Sequence, residues 1–319
     1  MKRGELAFIE RLRSIATDPA ARGLADDAAL LDGADLGPGL VLTHDMIAEG
    51  VHFRPDDPPA SVGWKLVATN LSDLAAKGAE PLAALMGATL SGDPRWDEAF
   101  AEGLGAACDR HGLALVGGDT IALPAGAPKV FGLTAIGRAG ERTPSRSGGR
   151  PGDRLWIAGA IGDAGAGLAL LNEDPRAEGP LIEAYRRPVP LLAAGRALAR
   201  VANAMMDISD GLLLDLSRLA AASGCGAALD LDAIPLSQAF IAQRRGDRAA
   251  RMFAATAGDD YALLAALPAD FDPNLNLCLP SGLILACVGT LVPGSGLTVA
   301  DAAGEVPLPE RLGYEHQPQ

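Results

Sequence analysis

Residues 60–90 read ASVGWKLVATNLSDLAAKGAEPLAALMGATL. The first part, 60–77, is helix-length and apolar at helical spacing, and Gly78 stands where a left-handed C′ residue would close it. PLAALMGATL at 81–90 then reads as a strand. A helix followed within a few residues by an apolar strand is the signature of a mixed α/β chain.

The same alternation extends in both directions. Upstream, Leu6, Ile9, Leu12 and Ile15 predict an amphipathic helix over 5–16, and GLVLTH at 39–44 predicts a strand ending at Asp45. Downstream come a helix over 95–110 closed by Gly112, the strand LALV at 113–116, and the strand KVFGLTAIG at 129–137. Residues 139–152, AGERTPSRSGGRPG, are nearly devoid of apolar side chains and read as a linker. Beyond it the pattern predicts a strand at 153–159, helices over 164–171 and 189–202, and a strand at 203–207. A helix over 211–222 and strands at 227–232, 261–267 and 283–291 follow. The expected fold is α/β (α+β), with domains 1–138 and 153–319 joined by the linker. A length of 319 residues suits two domains, at roughly 150 residues each.

Composition narrows the function. Hydrophobic residues make up 49%, enough for sizeable cores, and a formal charge of −13 leaves little attraction for polyphosphate chains or anionic lipid. No nucleic-acid or membrane partner is expected, and only 4% of residues are aromatic, too few for a base-stacking platform. Cys108, Cys225, Cys278 and Cys287 form no C-x-x-C pair, and the four histidines are scattered, so no zinc or iron–sulfur motif can be assembled. Scattered thiols, no signal peptide and no 18-residue apolar run lead us to expect a soluble cytoplasmic protein.

The aspartates carry the chemical signal. Asp26-Asp27 follow a turn, Asp45 and Asp119 follow apolar strand residues, Asp73 interrupts an apolar helix, and Asp207 and Asp210 bracket Ile208-Ser209. Any one of them, taken singly, reads best as a helix cap or a solvated side chain. As a set they exceed what capping requires. Carboxylates converging on one site repel unless cations neutralise them, and an all-oxygen donor set suits hard divalent ions such as Mg²⁺. Gly117-Gly118-Asp119-Thr120 could bring backbone N–H groups to a phosphate. Gly159-Ala-Ile-Gly162-Asp-Ala-Gly165-Ala-Gly167 lacks the G-x-G-x-x-G spacing, no P-loop occurs, and close helix packing explains those glycines. Arg146 offers a cation within the linker.

A longer series of motifs is specific. Ala25-Asp26-Asp27-Ala28-Ala29, Thr43-His44-Asp45, Gly50-Val51-His52-Phe53, Asn70-Leu71-Ser72-Asp73-Leu74, Gly117-Gly118-Asp119-Thr120, Arg146-Ser147-Gly148, Asp207-Ile208-Ser209-Asp210-Gly211-Leu212 and Gly258-Asp259-Asp260-Tyr261 occur in that order. The series resembles the thiamine-monophosphate kinases, of the superfamily that includes aminoimidazole ribonucleotide synthetase and selenophosphate synthetase. The likeness spans residues 5–314. It implies a homodimer whose N-terminal α/β domains pair strands into an intersubunit barrel, with the ATP site in a cleft lined by that domain. A C-terminal α+β domain would complete the substrate site.

The resemblance implies that Asp27, Thr43, Asp45, Asp73, Asp119 and Asp207 hold several Mg²⁺ ions on the ATP phosphates, with His44 contributing its carbonyl and Asp210 a further metal. Gly118, Asp119, Arg146 and Ser209 would contact ATP, and His52, Asp259 and Tyr314 thiamine monophosphate. Four residues depart from the family pattern: Ala25 for Gly, His44 for Thr or Ser, His111 for Tyr, and Asp259 for Glu. The implied reaction is in-line transfer from ATP to thiamine monophosphate, giving thiamine diphosphate. It needs neither a general base nor a covalent nucleophile, because the second pKa of a phosphate monoester is about 6. Alternatives are another ATP-dependent synthetase of the superfamily, a two-metal phosphohydrolase, or a non-catalytic nucleotide binder.

Overall fold

The computed structural model describes residues 11–18 and 39–315, with the side chains of 274 and 275 left aside. The first half of the expected helix over 5–16, and Ala25, Asp26 and Asp27, lie outside the described residues. The chain divides into two compact units, residues 1–74 with 79–140 and residues 75–78 with 141–319.

The first unit contains β1 (Leu40–Ala48), most of α1 (Pro59–Ala76), β2 (Glu80–Leu90), α2 (Pro94–His111), β3 (Ala114–Ala122) and β4 (Val130–Arg138). Its four-stranded sheet runs β1-β4-β2-β3, antiparallel except for the parallel pair β2–β3. Gly78 adopts φ 62°, and the N–H of Ala79 closes on the carbonyl of Leu74, so α1 ends where the glycine predicts. α1 and α2 cross at backbone contact. A Cβ on Gly63 would lie 2.2 Å from the Phe100 carbonyl oxygen, and one on Gly103 would lie 1.8 Å from that of Ala60.

One face of this sheet carries buried Ile47, Met86, Phe131 and Leu133. Strand alternation sends Leu42, Met46, Leu85 and Ile121 to the opposite face, where each is more than 40% exposed. β1 and β3 form the two edges.

Two expectations change here. β1 and β3 continue past Asp45 and Asp119, which lie inside strands rather than at their ends. Pairing with β4 carries β1 on to Ala48 opposite Val130, and pairing with β2 carries β3 on to Ala122 opposite Leu90. An apolar run marks where a strand is buried. The partner strand decides where it stops.

The second unit contains β5 (Arg154–Ala158), α3 (Asp163–Glu173), α4 (Pro180–Arg186), α5 (Leu192–Ala199), β6 (Ala204–Ile208), α6 (Leu212–Ala222) and β7 (Gly226–Asp230). It continues with α7 (Gln238–Arg244), α8 (Arg248–Thr256), β8 (Ala262–Leu267), α9 (Pro273–Asn276), β9 (Leu285–Val292), β10 (Leu297–Asp301) and β11 (Gly304–Glu305). The seven strands are ordered β11-β10-β7-β9-β5-β8-β6 in a mixed sheet. Leu155, Ile157, Leu213, Leu216 and Leu264 are fully buried in its main core. The helix expected over 189–202 starts only at Leu192, because Pro188 and Pro190 hold the preceding backbone extended.

Candidate functional site

In the first unit, two alternate positions of β1 meet one turn of α1. Thr43 and Asp45 point to the helix-covered face, while Asn70 and Asp73 are three residues apart on α1. The Thr43 hydroxyl donates to Asp73 Oδ2. The Asp45 N–H donates to Asn70 Oδ1 at 3.0 Å, and the Asn70 amide donates in turn to the Leu66 carbonyl at 2.9 Å. Asn70 is fully buried. It locks the strand backbone to the helix. His44, between Thr43 and Asp45, sends its ring to the other face, where Nδ1 lies 2.9 Å from the Thr134 hydroxyl.

The family turn around His52 is also tightly built. The N–H of His52 donates to the Ala48 carbonyl at 2.9 Å, and His52 Nδ1 accepts the Ala48 N–H at 3.1 Å. A neutral ring with that bond carries its proton on Nε2. The His52 carbonyl accepts from Lys65 Nζ at 2.9 Å, and Lys65 is only 2% exposed on α1.

Gly118 has φ 156°, and a Cβ there would lie 2.0 Å from the Met86 carbonyl oxygen, so the position excludes any side chain. Asp119 is exposed, and its Oδ1 accepts the N–H of Thr120 at 2.8 Å. Across the sheet, Asp45 is in register with Leu133, Leu133 with Met86, and Met86 with Gly118. Asp45 on β1 and Gly118-Asp119 on β3 are thus separated by three strand spacings, about 14 Å. Within one chain these two carboxylates do not meet.

Among the described residues, no three His, Cys, Asp or Glu side chains gather as a metal cradle. The donors that do meet, the Thr43 hydroxyl and the Asp73 carboxylate with Asp45 two residues along β1, are oxygens. Such a set fits a hard cation that takes one or two carboxylates and completes its shell with water and phosphate. Asp27 lies outside the described residues.

The second unit gathers its own candidates at the end of β6. Asp207 is 5% exposed on this edge strand, and Ser209 and Asp210 follow it. The Ile208 carbonyl accepts the Tyr261 N–H, that of Ser209 accepts the Asp259 N–H, and that of Asp210 accepts the Tyr314 N–H, each at 2.8 Å. Three distant segments are thereby stitched into one cluster. Asp259 and Tyr261 have φ 67° and 51°, and the Tyr261 hydroxyl donates to Asp259 Oδ1 at 3.0 Å. Aspartate enters the left-handed region more readily than most residues, which suits it to this position.

Asp210 Oδ2 accepts from Arg218 Nη1 at 2.5 Å, so a cation is already beside it. Arg218 Nη1 also reaches Asp215 Oδ1 at 2.9 Å, and Asp215 Oδ2 accepts the N–H groups of Ser209 and Asp210 at 3.1 and 3.0 Å. Desolvation raises the Asp215 pKa against those donors.

Arg146 is exposed, but its backbone is pinned. The Ser223 hydroxyl donates to the Arg146 carbonyl at 3.0 Å and accepts from Gly149 N–H at 3.1 Å. The segment expected to be a linker is hydrogen-bonded into the second unit from Ser145, whose carbonyl takes the Met205 N–H, to Asp153, which accepts from Asn203.

The glycine-rich turn at 159–167 serves packing. A Cβ on Gly167 would lie 2.0 Å from the Leu181 carbonyl oxygen. The N–H groups of Gly162 and Ala164 at the start of α3, where a phosphate would sit in a dinucleotide fold, donate to Asp260 at 2.7 and 3.4 Å.

Lys65, Asn70, Asp215, Arg218 and Ser223 were not singled out as functional from sequence. For the first four the signal is a polar residue within a helix, and for Ser223 one at a helix end, neither of which says whether the side chain turns inward.

Comparison with known proteins fits this geometry. The family described as AIR synthase related protein, N-terminal domain, matches residues 25–139, and its C-terminal domain matches residues 150–302. The chain is 38% identical over 311 residues to the thiamine-monophosphate kinase of Caulobacter vibrioides, covering 94% of this chain and 86% of the relative. It is 34% identical to that of Escherichia coli K12, covering 97% and 95%. The solved thiamine-monophosphate kinase of Stenotrophomonas maltophilia K279a superposes with TM-score 0.79 at 34% identity, covering 91% and 93%. AaThiL, solved with AMPPCP and TMP, gives TM-score 0.75 at 30% identity, covering 86% and 87%. Hydrogenase maturation protein HypE, at 22% identity and TM-score 0.75 with 94% and 92% covered, shares the fold. With relatives matched at these identities over nearly their whole length, the chain belongs to the thiamine-monophosphate kinase family.

Proposed function

We propose that this chain phosphorylates thiamine monophosphate with ATP, giving thiamine diphosphate and ADP. The observation that carries the reading is the array on β1 and α1, where Thr43 and Asp45 are held to Asp73 and Asn70 in a protein whose relatives bear that activity.

The nucleophile is an oxygen of the thiamine phosphate, largely ionised at neutral pH because its second pKa is about 6. It forms a bond to the γ-phosphorus of ATP as the bond to the β,γ-bridging oxygen breaks and ADP leaves, so no protein base is required. What remains is to bring two anions together. Mg²⁺, when bound, would offset their repulsion and polarise the transferred group. Thr43, Asp45 and Asp73 supply the oxygen donors on β1 and α1, with Gly118 keeping the β3 backbone bare of a side chain. In the second unit, Arg146 and Ser209 offer a cation and a hydroxyl to the nucleotide. Asp259 and Tyr314 serve the thiamine phosphate, as does His52 through its Nε2–H.

Leu42, Met46, Leu85 and Ile121 form an apolar face on a sheet whose edge strands β1 and β3 have no further strand beside them among the described residues, and a second copy would cover it. A barrel closed head to tail would set β1 of one copy beside β3 of the other. In that arrangement Asp45 of one chain and Asp119 of a second would lie on neighbouring strands and serve the same triphosphate, whereas within one chain they are about 14 Å apart.

Incubating the protein with thiamine monophosphate, ATP and Mg²⁺ should yield thiamine diphosphate and ADP in equal amounts. Phosphate release without ATP would instead make it a phosphohydrolase, and turnover of neither would leave a nucleotide binder.

A further inference from the structure

Asp215 is fully buried among Leu212, Leu213, Leu216 and Leu219, all at 0% exposure. A carboxylate in such company is costly unless it is well bonded. It has three donors: the N–H groups of Ser209 and Asp210 on one oxygen and Arg218 on the other. An ordinary capping aspartate precedes its helix and accepts from N–H groups inside it. Asp215 does the reverse. It sits within the first turns of α6 and reaches back to two N–H groups that precede the helix, while Gly211 occupies the cap position with no side chain. What it fixes is therefore the loop. Arg218, three residues further on, joins Asp215 to the Asp210 side chain through a single nitrogen, Nη1.

We propose that Asp215 and Arg218 are positioning residues for phosphoryl transfer, Asp215 setting the backbone of Ser209 and Asp210 and Arg218 setting where the Asp210 carboxylate points. This rests on the kinase reading, in which Ser209 and Asp210 meet the nucleotide and its metal. It accounts for a carboxylate buried beneath that loop, for which helix capping alone gives no reason. Arg218 also means that a metal approaching Asp210 shares it with a guanidinium, so the pair moderates how firmly that carboxylate holds a cation.

The test uses the full chain with Asp215→Ala, Asp215→Asn, Arg218→Gln and Arg218→Lys. Amide hydrogen exchange over residues 207–212 is measured alongside calorimetric affinity for an unreactive ATP analogue with Mg²⁺ and steady-state kinetics. In Asp215→Ala the Ser209 and Asp210 amides should exchange faster, while those in the middle of α6 keep their protection. Nucleotide affinity or kcat should fall by about 10- to 100-fold, as is typical when a group supporting a metal ligand is lost. The KM for thiamine monophosphate should move least. Asp215→Asn keeps an acceptor for both amides and should lie between, and Arg218→Lys should restore part of what Arg218→Gln loses. Unchanged exchange at Ser209 and Asp210 would overturn the proposal, as would a lowered melting temperature with nucleotide affinity and kcat intact. Failure of the unaltered protein to make thiamine diphosphate would overturn the kinase reading instead, and exchange and nucleotide affinity would still judge Asp215.

Discussion

The carbonyl of Asp210 accepts the N–H of Tyr314 at 2.8 Å. A residue expected to meet the metal and one expected to meet the thiamine phosphate therefore share a peptide-to-peptide bond across about a hundred residues of sequence. The neighbouring bond, from Asp259 N–H to the Ser209 carbonyl, repeats the arrangement. In the second unit, the backbone that presents Ser209 and Asp210 also locates Asp259 and Tyr314.

Gly313 shows how close that contact is. A Cβ there would lie 2.4 Å from the Asp210 carbonyl oxygen and 2.9 Å from Leu214 Cβ. The Asp210 loop is braced by Asp215, whereas Tyr314 is 48% exposed near the end of the described chain, so the tail should yield. Gly313→Ala should raise the KM for thiamine monophosphate by about tenfold or more, since misplacing a contact by about 1 Å can cost up to a hundredfold. The KM for ATP should change much less. Equal shifts in both constants would show that the loop, not the tail, gave way.

Thr43→Val keeps the shape of the side chain and removes the hydroxyl that donates to Asp73. The expected result is a fall in kcat of about 10- to 100-fold, the range for groups that orient a metal-binding carboxylate. The Mg²⁺ concentration giving half-maximal rate should rise. Thermal unfolding should shift little, because Thr43 is only half-buried. A large drop in melting temperature with kcat preserved would mean the pair only ties β1 to α1.

Asp260 gives a pH signature. Desolvation, its largest influence, raises its pKa well above the ordinary 3.8, against the N–H bonds from Gly162 and Ala164. A carboxyl whose pKa is higher folded than unfolded favours the fold fully below the unfolded value, and that contribution is lost as pH rises through the folded pKa. Asp260→Asn is neutral throughout and retains an acceptor. The stability of the variant relative to the parent should therefore grow as pH climbs from about 4 toward neutrality. Denaturant titrations at stepped pH would show it. A pH-independent difference would mean Asp260 titrates alike folded and unfolded.

What could be read in the sequence was what local physics governs. The helix and strand in residues 60–90 follow from apolar spacing and from Gly78, which adopts the left-handed turn its position predicts. The polar residues that do most to shape the candidate site were illegible for a definite reason. Lys65 and Asp215 are polar residues flanked by apolar ones in their helices, and only tertiary packing decides whether such a side chain turns to solvent or to a backbone carbonyl or amide. The sequence places Asp45 and Asp119 in one larger set of aspartates expected to converge. Their separation was not legible there, because it depends on strand order, and β1-β4-β2-β3 places the two strands at opposite edges.

That separation leads to the sharpest prediction. Asp45→Asn and Asp119→Asn should each abolish most turnover. If both carboxylates of a site came from one chain, mixing the two variants would restore nothing. In a dimer closed through β1 and β3, a mixed pair holds one site with both lesions and one with neither. Random pairing makes half of the dimers mixed, so co-expression of the two should recover about a quarter of the parent's activity. Size-exclusion chromatography with light scattering should show a dimer. Replacing exposed Leu42 and Ile121 with Glu should dissociate it and remove activity together, since two charges would then face an apolar surface. A dimer without recovery on mixing would assign each site to a single chain, and a monomer with full turnover would sink the composite site altogether.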